Sequence, residues 1–126
     1  MKTTVDSVDG RIPVVAGIVT NSTSEVIARG KSVKDLNVSA LQITPPHYLF
    51  KPDDDAMVNH FKEIYDECQV PILIYNVVPW CYLSPDLLIR IMDEVPGVLG
   101  VKQSAGDMKL FACLLYTSDA ADEFMG

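Results

Sequence analysis

The sequence predicts an α/β domain built on a parallel sheet. Short, β-branched apolar runs recur along the chain, and each is followed by a stretch with helical periodicity and its own start signal. That alternation calls for parallel strands joined by right-handed crossovers. The 126 residues leave room for one such domain with one core.

The first run, "RIPVVAGIV" at 11–19, has the composition of a strand buried on both faces. In "NSTSEVIARGKSVKDL" the spacing of Ser22 and Glu25 fits a capping box, and Val26, Ile27, Gly30 and Val33 form a helical stripe. "VSALQI" at 38–43 is the second strand, closed by Thr44-Pro45-Pro46. Asp53, Asp54 and Asp55 then stand where a helix N-terminus favours negative charge. Behind them Met57, Phe61, Ile64, Tyr65 and Cys68 recur at helical steps. "VPILIYNVV" at 70–78 is the third strand. Ser84-Pro85 supplies an N-cap and a first-turn proline for a helix carrying Leu87, Leu88, Ile91, Met92 and Val95. Pro96-Gly97 stops it, "VLGVKQ" at 98–103 is the fourth strand, and Gly106-Asp107 opens a last helix. Element order leaves two architectures open: an open doubly wound sheet and part of a (β/α)8 barrel.

Composition narrows the function classes. Hydrophobic residues at 48% and charged residues at 21% argue against disorder. No apolar run approaches the roughly 20 residues of a membrane span. "MKTTVDSVDG" lacks the apolar core of a signal peptide. Cys68, Cys81 and Cys113 show no metal-binding spacing, so a reduced cytoplasmic protein without structural zinc is expected. The acidic cluster at 53–55 suits a helix cap better than a ligand set, and no metal is expected. Of the net charge of −7, Asp119, Asp122 and Glu123 near the C-terminus supply three. The remainder gives no sign of nucleic-acid binding.

Ligands of parallel α/β proteins collect at the carboxyl ends of the strands. Those ends carry Thr44 followed by "PPHYLFKP", Tyr75-Asn76, and Lys102-Gln103. Strict alternation puts Val98, Gly100 and Lys102 on one face, and Pro71, Leu73 and Tyr75 on one face. On neighbouring strands Tyr75 and Lys102 would share a space. Two uses of the pair remain open on pattern alone. Lys102 can snorkel to water beside a rim tyrosine. Alternatively, an amine held in a dry barrel has its neutral, carbonyl-attacking form favoured, with a phenol to relay protons.

At these residues the chain resembles a known family. "GRIPVVAGIVTNSTSEVI", "TPPHYLFKP…HF", "ILIYNVV" and "GVLGVKQSAGDMK" together are similar to the dihydrodipicolinate synthase / N-acetylneuraminate lyase family, in the right order from about residue 5 to about 112. The resemblance implies a (β/α)8 barrel, cofactor-free, whose lysine forms a Schiff base with pyruvate or a related 2-oxo acid. Lys102 corresponds to that lysine and Tyr75 to the proton-relay tyrosine. Thr44, Tyr48 and Trp80 are substrate-binding candidates. Tyr48 stands in for an aromatic pair of which one member reaches a neighbouring subunit, and the family implies a homotetramer. His47 is expected at the surface, with a hydrogen-bonding place at the rim as the alternative. After "YN" the synthase branch carries an arginine for the second substrate's carboxylate. Here "VVPWCYLSP" has none before Arg90, and Trp80 and Tyr82 offer a stacking wall instead.

A (β/α)8 barrel needs about 250 residues. Residues 1–112 are therefore expected to form about half of one, strands three to six in the family order, without the strand whose Thr-Thr-Gly type turn holds the 2-oxo acid carboxylate. "CLLYTSDAADE" at 113–123 has no counterpart in the family and reads as a translated tagmentation adapter, so 113–126 is expected to be a foreign tail. Two outcomes follow: a Schiff-base lyase or aldolase in the whole protein, or an inert, truncated or degenerate member. A phosphate-binding enzyme on an open sheet is disfavoured, because "AGIVTNST" offers only Gly17 where a glycine-rich turn is needed.

Overall fold

The computed structural model describes residues 1–117. Four strands, β1 (Val15–Ile18), β2 (Ala40–Ile43), β3 (Ile72–Asn76) and β4 (Val98–Gln103), form one sheet in the order β1-β2-β3-β4. Every neighbouring pair is parallel. A doubly wound sheet reverses its strand order at a switch point, which is what sends helices to both faces. This order never reverses, so right-handed crossovers leave every strand-connecting helix on the same side. The sheet is one arc of a (β/α)8 barrel.

The helices begin where their caps predict. α2 (Thr23–Lys34) has Ser22 as N-cap, its hydroxyl accepting from Glu25 N. The capping box is not reciprocal, because the Glu25 carboxylate instead receives the Thr20 hydroxyl and the Arg29 guanidinium. In α3 (Asp54–Cys68), Asp53 accepts from Ala56 N at 2.8 Å. α4 (Pro85–Glu94) is capped by Ser84, and the Asp107 carboxylate takes the N–H groups of Lys109 and Leu110 at the start of α5 (Met108–Thr117).

An N-terminal helix, α1 (Lys2–Val8), was not legible, since it buries no residue and lacks a stripe. It ends through left-handed Asp9 and Gly10, with Arg11 donating to the carbonyls of Ser7 and Val8.

Ala16, Ile18, Leu41, Ile43, Ile72 and Ile74 form the helix-facing side of the sheet and pack against Val26, Met57, Phe61, Ile64, Leu88 and Ile91. Each large apolar side chain fully removed from water here stabilises the fold by roughly 1.5–3 kcal/mol. The opposite face corrects the expectation of strands buried on both sides. Val15 and Val19 are exposed, and Leu73 and Tyr75 are half-buried. The apolar composition of these strands suits a closed barrel, while the described residues cover only its outside.

β4 departs from strict alternation as well. Ile72 pairs with Val98 but Leu73 pairs with Gly100, so Leu99 is an extra residue. Val98 consequently joins the core and does not share a face with Gly100 and Lys102. At the C-terminus, residues 113–117 continue α5, and Leu114 enters the core cluster. The start of the expected foreign tail therefore packs on the fold, and residues 118–126 lie outside the described ones.

One close contact gives a test of this packing. A Cβ at Gly97 would lie 2.0 Å from the Tyr65 ring. Gly97→Ala should lower stability by about 1–3 kcal/mol, and Tyr65→Ala should relieve much of that loss in the double variant, as measured by urea unfolding.

His60 is buried between α2 and α3, with Nδ1 2.8 Å from the Thr23 hydroxyl and Nε2 without a partner among the described residues. Burial pushes its pKa down to about 4. Between about 6.5 and 4 the unfolded chain takes up a proton that folded His60 refuses. Its contribution is therefore complete above pH 6.5 and is lost as pH falls towards 4, by about 3 kcal/mol at most. Replacing His60 with Gln should flatten the stability-versus-pH curve in that window; an unchanged slope would contradict the burial.

Candidate active site

Tyr75 is the fourth residue of β3 and Lys102 the fifth of β4, and the two stand opposite each other in register. Lys102 Nζ lies 3.8 Å from the centroid of the Tyr75 ring. Both side chains are on the inner face, since the intervening Ile74 and Val101 belong to the core side. At Gly100, one layer below, an added Cβ would meet only Leu73, at an ordinary 3.8 Å, so the lysine stem has space beside it. Lys102 itself is exposed, because the arc leaves the inner face open.

Thr44 follows β2 directly and is buried, unlike Lys102 on the open inner face. It is 1% exposed, and its Oγ1 has no hydrogen-bond partner among the described residues. A buried hydroxyl without a partner is costly, and a ligand oxygen or a water would satisfy it.

The other two substrate-binding candidates are not gathered around the pair. Tyr48 is 69% exposed on the loop between β2 and α3. Trp80 is 65% exposed in a 3-10 turn (Pro79–Cys81), and its indole N–H is committed to the His47 carbonyl at 2.7 Å. His47 corrects the surface expectation: it is half-buried, with its N–H on Asn21 Oδ1 and Nδ1 2.8 Å from the Pro45 carbonyl.

These bonds belong to a belt across the carboxyl-end loops. Asn21 holds His47, Trp80 reaches back to His47, and Cys81 Sγ donates to the Pro46 carbonyl at 3.1 Å. Farther along, the Tyr82 hydroxyl donates to the Ala105 carbonyl at 3.3 Å. Sequence reading missed this belt, because loop-to-loop hydrogen bonds leave no periodic signal.

Arg90 cannot serve the site from α4, where it is held by Asp55 at 2.7 Å and Glu94 at 2.8 Å. Burial raises the thiol pKa of Cys68 and of Cys81, which disfavours the nucleophilic thiolate. Among the described residues no cluster of His, Cys, Asp and Glu could hold a metal, and no helix is long and apolar enough to cross a membrane.

The chain is thus an arc of a (β/α)8 barrel with a lysine and a tyrosine side by side at its carboxyl-end rim. The "Dihydrodipicolinate synthetase family" model matches residues 1–124, and the chain belongs to that family. It is 39% identical over 110 residues to the 4-hydroxy-tetrahydrodipicolinate synthase of Clostridium tetani, covering 86% of this chain and 37% of the relative. The Bacillus subtilis protein of that name is 35% identical over 108 residues, again 37% of its length. The crystal structure of dihydrodipicolinate synthase from Thermotoga maritima superimposes with a TM-score of 0.87 at 28% identity, covering 98% of this chain and 42% of that one. The chain thus spans well under half the length of the relatives it matches, as four strands of an eight-stranded barrel should.

Their burial gives a direct check on the two core cysteines. Cys68 and Cys81 should react with Ellman's reagent only slowly in the folded protein and promptly in denaturant. Prompt reaction at both positions without denaturant would contradict the packing of the loop belt and of the α2–α3 interface.

Proposed function

We propose that the whole protein carrying this arc is a lyase or aldolase that forms a Schiff base between Lys102 and a 2-oxo acid such as pyruvate. The observation that carries this reading is the placement of Lys102 Nζ over Tyr75 in register at the rim. The amine adds to the keto carbon, and the carbinolamine loses water to leave an iminium. Tyr75 relays the proton that the departing hydroxyl requires. The iminium draws electrons from the adjacent carbon, which gives up a proton and attacks an aldehyde as the enamine. Hydrolysis, taking back one water, frees Lys102.

The buried Thr44 hydroxyl, without a partner among the described residues, supports a role for Thr44 in binding a substrate oxygen. Trp80 and Tyr82 would wall the second-substrate side with rings in place of an arginine, favouring an aldehyde less dependent on a carboxylate contact. Tyr48, in solvent here, would act across a subunit interface of a homotetramer. No cofactor, nucleic acid or membrane has a part in this reaction, and a cytoplasmic setting is consistent with it.

The 126-residue chain by itself is proposed to be inactive, and residues 113–126 to be foreign to the native protein. The support for inactivity is the exposure of Lys102 on an open face where water competes with the keto acid.

Borohydride trapping with pyruvate, followed by mass spectrometry, tests both statements. The whole barrel should be labelled at Lys102, Lys102→Ala should remove the label, and Tyr75→Phe should slow labelling by on the order of a hundredfold. The 126-residue chain should remain essentially unlabelled. A whole barrel labelled equally without Lys102 would overturn the Schiff-base reading.

A further inference from the structure

We propose that Asn76, acting with Gln103, is a positioning residue that holds Tyr75 and Lys102 in their relative geometry. It does so by tying both strand ends to the loop that carries Trp80 and Tyr82. The proposal rests on the reading of Tyr75 and Lys102 as the reacting pair.

Asn76 is fully buried on the helix side of the sheet, the face of Ile72 and Ile74. A residue serving only to pack would be apolar there, as those two are. Its amide is instead spent on three hydrogen bonds. Nδ2 donates to the Leu83 carbonyl at 3.2 Å and to Gln103 Oε1 at 2.9 Å, and Oδ1 accepts from Leu83 N at 2.9 Å. Its own carbonyl accepts from Ser104 N at 3.1 Å.

Asn76 follows Tyr75, and Gln103 and Ser104 follow Lys102. One side chain and one carbonyl therefore pin the residues just beyond both reacting groups. The bonds to Leu83 close the loop that carries Trp80 and Tyr82, so strand ends and loop move as one body. Gln103 depends on Asn76 alone: its Nε2 is buried without a partner among the described residues.

The constraint matters because the inner face is open. Nothing on that face among the described residues packs over Lys102, so its position over the Tyr75 ring is set from behind the sheet. A one-residue slip of a strand sends every side chain to the wrong face. Misplacement by about 1 Å can cost on the order of a hundredfold in rate.

The test uses the isotope-labelled 126-residue chain and reads the Lys102 ε-methylene protons by NMR. Beside the Tyr75 ring they should carry an upfield ring-current shift, and its absence in the unaltered chain would already overturn the proposal. Asn76→Ala should abolish the shift. Gln103→Leu, which cuts only the cross-strand bond, should reduce it and decides the matter if Asn76→Ala does not fold. Asn76→Asp should not restore it, because a carboxylate oxygen would face the Leu83 carbonyl where Nδ2 now donates, and would bury a charge without a cation. Ile91→Val, a core truncation elsewhere, should lower stability and leave the shift intact.

A shift that survives both Asn76→Ala and Gln103→Leu, or is lost equally in Ile91→Val, overturns the proposal. The two readings fail separately. An unlabelled whole barrel with a shift that depends on Asn76 removes the Schiff base alone. A labelled barrel with an indifferent shift removes the clamp alone.

Discussion

The extra residue in β4 is the constraint on which the rest of this arc depends. A strand between helices and barrel interior must serve two faces with period-two alternation. β4 is asked to put Val98 and Val101 into the core and Lys102 into the interior, which no unbroken alternation allows. Inserting Leu99 without a partner resolves the conflict, and everything beyond it is shifted by one position. Lys102 then arrives opposite Tyr75 rather than on the far face. The cost is an exposed leucine, 60% accessible on this open arc.

Stability and function are divided between the two faces. The helix side holds the core, with Phe61, Ile64, Leu88 and Ile91 removed from water, and it is close-packed enough that Gly30 and Gly97 admit no Cβ without displacement. The inner side is lined sparsely and carries the polar groups that could do chemistry. Between them the loop belt fixes the rim, running from Asn21 through His47 and Trp80, with a second link from Tyr82 to Ala105. Membership of the Dihydrodipicolinate synthetase family agrees with this division, since a barrel's carboxyl-end loops are where its chemistry varies.

Much of this was legible in the chain before any coordinates. The Ser22, Asp53 and Ser84 caps, the stripe of α3 and the four apolar runs leave local signals that survive in the fold. Tyr75 and Lys102 were visible because a polar residue ending an apolar run is conspicuous. The bulge was not, because "GVLGVKQ" carries no mark of which residue goes unpaired. α1 was not, because a helix without a buried face has no periodic stripe to read. Trp80 and Tyr48 came near the site through the family resemblance, and their positions depend on hydrogen bonds and partners that a linear pattern does not encode.

The rim depends on one register: Tyr75 opposite Lys102 on one face, with Val101 on the other. Paired cysteine substitutions measure it directly. In a background lacking Cys113, a chain carrying Tyr75→Cys and Lys102→Cys should form an intramolecular disulfide under mild oxidation. A chain carrying Tyr75→Cys and Val101→Cys should not, because those side chains leave the sheet on opposite faces. Efficient bonding of the second pair and none of the first would place Lys102 among the helices and contradict the account.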